Sequence, residues 1–182
     1  MRSSKMRLFI AINFNENTKK AIQRIIDEVK KHSIQGRFVK DQHLHLTLEF
    51  LGDIPLTEVG KIKKVMDQVI AEKFTMKLNE IGFFKGRDGQ IYWVGIEKNR
   101  FLLSLQRQIH EALKSQSFVL ENRTYKPHVT IGRRVKIRET YVPQKILDDI
   151  KHIRVDVDKI DLMKSEHVNG ELVYSIQHTR RL

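Results

Sequence analysis

The sequence predicts an α+β fold of two pseudo-symmetric lobes, each an antiparallel sheet with helices on its outer face, with a groove between them. Three observations lead there. Short apolar or alternating stretches suited to strands are interleaved with amphipathic stretches of helical period. A strand, a helix and a His-x-Thr strand recur at one constant offset. No Pro-rich or Ser-rich linker divides the chain, so residues 1–182 read as a single bilobal domain.

Arg7 to Asn13 (RLFIAIN) is a short apolar run suited to a buried strand. Ala21, Ile22, Ile25, Ile26 and Val29 then recur at helical spacing, with lysines and Arg24 on the opposite face. Asn15 or Asn17 caps this helix, and Gly36 breaks the pattern. Phe38 to Leu51 reads as extended, because Leu44, Leu46, Leu48 and Phe50 alternate with His43, His45, Thr47 and Glu49. Gly52 to Pro55 reads as a turn. A second helix is expected from Thr57 to Glu72.

Phe74, Met76 and Leu78 alternate as a strand, and Gly86-Arg87-Asp88-Gly89 reads as a hairpin turn into Ile91 to Ile96. A third helix carries Leu102, Leu105, Ile109, Ala112 and Leu113. Tyr125 to Arg133 reads as extended, and Gln144 to Lys151 as a short helix. Val155 to Met163 and Leu172 to Thr179 read as a final hairpin, with Asn169-Gly170 as its turn.

The repeat is registered by its two tetrads. His45-Leu46-Thr47-Leu48 matches His128-Val129-Thr130-Ile131, an offset of 128 − 45 = 83. The same offset carries Leu8 onto Ile91, and Ile22, Ile26 and Val29 onto Leu105, Ile109 and Ala112. One offset through three elements favours duplication over chance overlay.

Composition narrows the chemistry. The chain has no cysteine, which excludes disulfides, thiolate zinc sites, iron–sulfur clusters and cysteine nucleophiles. Net charge is 34 − 22 = +12, which favours polyanionic partners, nucleic acid first. No block of five consecutive basic residues occurs, so a functional charge must be gathered by the fold. No apolar run approaches the ~20 residues of a membrane span. The apolar run behind the basic start Met1 to Arg7 is too short for a signal core, so a cytoplasmic location is expected.

In a strand, residues i and i+2 face the same way, so His45 and Thr47 point together, as do His128 and Thr130. A pseudo-twofold relation between the lobes brings both pairs to one cleft. In-line displacement at phosphorus needs a base beside the nucleophile and an acid beside the leaving group. With an ordinary pKa of about 6.5, one imidazole can be neutral while the other is charged. Threonine hydroxyls can donate to phosphate oxygens as charge develops. A lone His-x-Thr is common and mostly idle; a second at the repeat offset is much less easily accidental.

These residues resemble a known family. Two His-x-Thr-x tetrads on paired lobes are the mark of the 2H phosphoesterases. Within them the chain is similar to the RNA 2′,3′-cyclic phosphodiesterases, also called 2′-5′ RNA ligases. Met6 to Ile12 (MRLFIAI), Phe38 to Gly52 (FVKDQHLHLTLEFLG), Tyr92 to Gly95 (YWVG) and Tyr125 to Arg133 (YKPHVTIGR) carry the likeness over nearly the whole chain.

The resemblance implies a groove between two lobes and metal-free hydrolysis of a 2′,3′-cyclic phosphate to a 2′-phosphomonoester. It assigns His45 as the acid on the leaving 3′-oxygen and His128 as the base on water. Thr47 and Thr130 would hold the phosphate, and Arg133 matches a family arginine near it. Strict alternation places Arg133 opposite His128; a bulge at Gly132 would swing it back, and Arg134 is the alternative. Asn13 stands where relatives often carry an acid, so it receives no catalytic role.

Other residues also admit plainer roles. His43 and His45 share a face and could form a metal pair with Glu49 or His128, but a basic cleft repels cations and the threonines would then have no role. Among Phe9, Phe50, Tyr92, Trp93 and Tyr125, most read as core; Tyr125, beside the second tetrad, is the expected stacking surface for a nucleobase. Lys40, Lys126 and Arg134 extend the phosphate-binding surface. The expectation is therefore a monomeric phosphodiesterase needing no metal or other cofactor, acting on RNA with 2′,3′-cyclic phosphate ends or on small cyclic-phosphate nucleotides, with weak reverse 2′-5′ ligation. The rivals are a related phosphodiesterase acting on a small cyclic nucleotide or 2′-5′ oligonucleotide, and a non-catalytic RNA-binding module. No membrane partner is expected.

Overall fold

The computed structural model describes residues 4–138 and 144–182; the start of the basic stretch, residues 1–3, lies outside them. Among the described residues, nine strands form two antiparallel sheets. The first holds, in order, β3 (His45–Pro55), β1 (Lys5–Asn13), β8 (Lys159–Val168) and β9 (Glu171–Arg181). The second holds β2 (Ser33–Phe38), β6 (His128–Ile137), β5 (Gly89–Ile96), β4 (Phe74–Gly86) and β7 (Arg154–Val157). The helices are α1 (Glu16–Lys31), α2 (Val59–Gln68), α3 (Arg100–Ser115) and α4 (Gln144–Lys151).

The two longest helices start on asparagine caps. Asn15 accepts from the Thr18 N–H at 2.8 Å, which selects Asn15 over Asn17. Asn99 accepts from the N–H groups of Phe101 and Leu102 at the start of α3. Each helix buries one apolar stripe: Ile22, Ile25, Ile26 and Val29 on α1, and Leu102, Leu105, Ile109 and Leu113 on α3.

The two tetrad strands take matching places in the topology. β1 pairs with β3, and β5 pairs with β6, so each His-x-Thr strand lies beside the first strand of its own repeat. The helices are exchanged between the halves. α1 leaves the first sheet and packs with α4 against the second. α3 leaves the second sheet and packs with α2 against the first, where Gln108 of α3 bonds the main chain of Ile70. Apolar side chains of both sheets and all four helices join one buried cluster.

Several boundaries differ from the sequence reading, chiefly because strands pair with distant partners. The stretch Phe38 to Leu51 is not one strand. β2 runs through Gly36 in the second sheet, a short 3₁₀ turn at Asp41–His43 follows, and β3 enters the first sheet. Gly36 does not break the chain; it admits the Phe38 ring, which a Cβ would meet at 3.0 Å. Gly52 to Pro55 belongs to β3, with Gly52 at φ +72° where the pairing with β1 slips. The second helix shortens to Val59–Gln68.

The stretch Val155 to Met163 is divided between the two sheets. β7 pairs with β4, while β8 pairs with β1 and β9. At the junction the Asp158 carbonyl accepts from the Leu182 N–H at 2.8 Å. The β8–β9 hairpin turns at Asn169 (φ 52°) and Gly170 (φ 82°), the left-handed pair expected of a type I′ turn.

Candidate active site

The two faces of the first sheet have different occupants. Leu8, Ile10 and Ile12 of β1 point to the helices, whereas Phe9 and Ala11 form a second apolar cluster with Met163 and Tyr174 on the opposite face. His45 sits on that opposite face, with its ring 4.9 Å from Phe9 and 5.5 Å from Tyr174. The core side of β3 is filled by Leu46 and Leu48. Alternation therefore places His45 and Thr47 together as the sequence implied.

The ring of His45 is fixed by two contacts. Nδ1 lies 2.7 Å from the His43 carbonyl, and Nε2 lies 3.1 Å from the Thr47 hydroxyl. A carbonyl only accepts, so Nδ1 carries the proton. His128 repeats the first contact, with Nδ1 2.6 Å from the Lys126 carbonyl. Its ring stands edge-on to Phe84 at 5.1 Å and tilted against Trp93 at 6.2 Å. Both imidazoles thus donate to the main chain two residues earlier, which commits Nε2 of each to the remaining chemistry.

Both rings titrate below the ordinary histidine range. Burial is the main cause for each. The charge of Arg133 depresses both as well, and His128 adds to the effect on His45. His45, His128 and Arg133 are therefore near enough to feel one another's charge.

A bulge brings Arg133 there. Trp93 pairs with Thr130 and Tyr92 with Gly132, so Ile131 is the extra residue of β6. Ile131 and Gly132 are both buried, and the alternation resumes one step late at Arg133. Arg134 takes a left-handed φ of 54° and approaches Asp88 of the β4–β5 turn at 3.8 Å. Of the two arginines, Arg133 is the one whose charge acts on both histidines.

The same bulge occurs in β3. Ala11 pairs with Thr47 and Ile10 with Glu49, so Leu48 is the extra residue, and 131 − 48 = 83. Leu48 and Glu49 both turn inward. Glu49 accepts from His110 Nδ1 at 2.8 Å and from Gln106 Nε2 at 3.4 Å, both on α3. Burial raises its carboxyl above the usual range, against the opposing pull of His110. Glu49, weighed as a ligand for a His43–His45 metal pair, faces away from the cleft. Among the described residues, no group of three His, Cys, Asp or Glu side chains is placed to hold a metal.

Tyr125 is half-buried, and its hydroxyl donates to the Thr47 carbonyl at 2.9 Å. Burial pushes its phenol well above the ordinary range. The aromatic rings that meet the histidines are others: Phe9 and Tyr174 at His45, Phe84 and Trp93 at His128. Tyr174 also packs on His43 at 4.9 Å. It lies on β9, far in sequence from both tetrads, and no local motif marks it. Asn13, cross-strand from His45, donates to the fully buried Asp161 at 2.8 Å; Thr179 donates to the other oxygen at 2.6 Å.

Comparison with known proteins places the chain among relatives. Residues 18–169 match the model of the 2′-5′ RNA ligase superfamily. An RNA 2′,3′-cyclic phosphodiesterase of Thermotoga maritima is 31% identical over 179 residues, covering 94% of this chain and 92% of the relative. One from Methanothermobacter thermautotrophicus is 27% identical, covering 98% and 100%. In structure, E. coli LigT complexed with 3′-AMP superposes with a TM-score of 0.83 at 23% identity, covering 98% of both chains.

Proposed function

The chain belongs to the 2′-5′ RNA ligase superfamily, and from that footing we propose that it hydrolyses RNA 2′,3′-cyclic phosphate ends to 2′-phosphomonoesters. The observation that carries the reading is the matched pair of imidazoles. Each donates Nδ1–H to the carbonyl two residues before it, and both feel Arg133. An imidazole so held can accept a proton at Nε2 when neutral and donate one there when charged.

The proposed reaction is one in-line displacement. His128 Nε2 takes a proton from water as the water oxygen bonds to phosphorus. The P–O3′ bond breaks on the opposite side, and His45 Nε2 delivers its proton to O3′. Thr47, Thr130 and Arg133 bind the non-bridging oxygens as negative charge grows on them. Tyr125 braces Thr47 through its carbonyl. A 5′-hydroxyl entering in place of water would give a weak 2′-5′ joining activity. No step calls for a metal, because protonation and charge stabilisation are supplied by side chains.

The choice of His45 as acid follows the family resemblance, since local symmetry permits either order. The test is turnover of a nucleoside 2′,3′-cyclic phosphate by the isolated protein, with the product isomer read by phosphorus NMR. A 2′-phosphate product is expected. A 3′-phosphate would exchange the acid and base labels. Binding of RNA ends without turnover would replace the enzyme with an RNA-binding module.

A further inference from the structure

The edge strand β2 sets a second arginine beside Arg133. Arg37 is directly opposite Arg133 in the β2–β6 ladder, and Phe38 is opposite Gly132. Opposed residues of an antiparallel pair share a face, with Cα atoms about 4.5–5.5 Å apart. Phe38 fixes which face. A Cβ on Gly132 would meet the Phe38 ring at 3.1 Å and the buried Val135 beside it, and Phe38 packs against the main core. Arg37, one residue earlier, therefore stands on the other face, with His128, Thr130 and Arg133. Both arginines are exposed. Among the described residues neither guanidinium is paired with a carboxylate. Like charges directly opposed in a ladder are destabilising, so this place favours an anion.

We propose that Arg37 is a second phosphate subsite, which takes the phosphate on O5′ of the nucleotide whose 2′,3′-cyclic phosphate lies at the histidines. This inference rests on the phosphodiesterase reading above and narrows its substrate. A nucleoside 2′,3′-cyclic phosphate carries one negative charge, and Arg133 supplies one positive charge to meet it. Arg37 adds a cation for which that ligand has no partner. The next anionic position of the same nucleotide is O5′, one ribose away. In an RNA strand that oxygen carries the preceding phosphodiester. A guanidinium fork can hold two oxygens of such a group. The contact reads backbone charge and is indifferent to the base. Arg37 supplies no proton to the chemical step.

The experiment compares kcat/KM of wild type and Arg37→Ala on adenosine 2′,3′-cyclic phosphate, on the same compound with a 5′-phosphate, and on a dinucleotide with the same cyclic end. In the wild type the 5′-phosphate and the phosphodiester should each raise kcat/KM by about tenfold. Arg37→Ala should lose both gains and leave adenosine 2′,3′-cyclic phosphate within about twofold, with a flatter salt dependence on the two longer substrates. An equal loss on all three places Arg37 at the terminal phosphate and overturns the subsite. A 5′-phosphate gain that survives in Arg37→Ala overturns it too. So does a gain confined to the dinucleotide, which would show a base contact instead. Removal of one of two opposed like charges should not lower Tm. If Arg37→Ala does melt lower, Arg37→Gln, which keeps a longer stem, is read by the same criteria. If the wild type turns over none of the three, the enzymatic reading fails first. The subsite is then decided by calorimetric binding of adenosine 2′-phosphate and adenosine 2′,5′-bisphosphate. Tighter binding of the bisphosphate that Arg37→Ala abolishes supports it. Equal affinities, or a bisphosphate preference unchanged in Arg37→Ala, overturn it.

Discussion

The hydroxyl of Tyr125 donates to the main-chain carbonyl of Thr47 across 2.9 Å and 78 residues of sequence. One residue belongs to the approach to the second tetrad and the other to the first, so this bond ties the two half-sites directly. Tyr125→Phe keeps the ring and removes the tie. A neutral hydrogen bond of this kind is worth ~0.5–1.5 kcal/mol, so kcat should fall by up to about tenfold with KM little changed. In a double-mutant cycle with Thr47→Ala, the two losses should be strongly non-additive. Additive losses would show that Tyr125 acts on stability alone.

His45→Ala and His128→Ala should each reduce kcat by about 10²–10⁴-fold while retaining a cooperative melt, since both rings stand on the cleft face rather than in the helix-facing core. Single-turnover assays under saturating substrate measure the chemical step. Turnover close to wild type in either variant would remove that histidine from proton transfer.

The pH dependence follows from the direction of the two shifts. Burial and Arg133 favour neutral imidazoles, so both limbs of the kcat/KM bell should lie on the acid side of an unperturbed histidine pair. A bound phosphate favours the charged rings, so the kcat profile should move to higher pH than the kcat/KM profile. The limbs belong to the pair rather than to either residue. Folding stability should also fall as pH drops below about 6.5, because the unfolded imidazoles then bind protons that the folded ones resist. A stability slope of the opposite sign in that window would contradict the shifts.

Gly82→Ala should loosen the second half-site. A Cβ at Gly82 would run into the Trp93 ring, which packs against His128. Overpacking of this kind costs ~1–3 kcal/mol. The expected result is a lower Tm, altered fluorescence of the single Trp93, and reduced kcat. Wild-type Tm and emission would mean that the strand accommodates the methyl group elsewhere.

Exhaustive chelation should leave hydrolysis unchanged, because Glu49 is engaged by His110 on the far side of β3 and the proposed reaction keeps both histidine Nε2 atoms for proton transfer. Loss on EDTA treatment that a single divalent ion restores would reinstate His43 and His45 as a ligand pair.

Much of this site can be read without coordinates. His45 and Thr47, and His128 and Thr130, share faces because strand periodicity is a local property of the backbone. Helix positions, the choice of Asn15 or Asn17 as first cap, and the β4–β5 and β8–β9 turns are equally local. Periodicity, however, says which face a residue takes and not which sheet its strand joins. The stretches around Phe38 to Leu51 and Val155 to Met163 look continuous in sequence, yet each is divided between the two sheets.

The bulges mark where local reading ends. An extra residue at Leu48 and at Ile131 resets the alternation, sending Glu49 to α3 and bringing Phe50 and Arg133 to the cleft face. Whether a strand takes up such a residue depends on its partner's register, a property of two segments far apart in the chain. For the same reason Tyr174 reaches His43 and His45 only through the pairing of β9 with β8 and of β8 with β1. The amino-acid sequence by itself determined most of the elements and the faces of the two tetrads. The tertiary structure decided which cation and which rings surround them, because cross-strand register and helix exchange are set by long-range packing rather than by any neighbour in the chain.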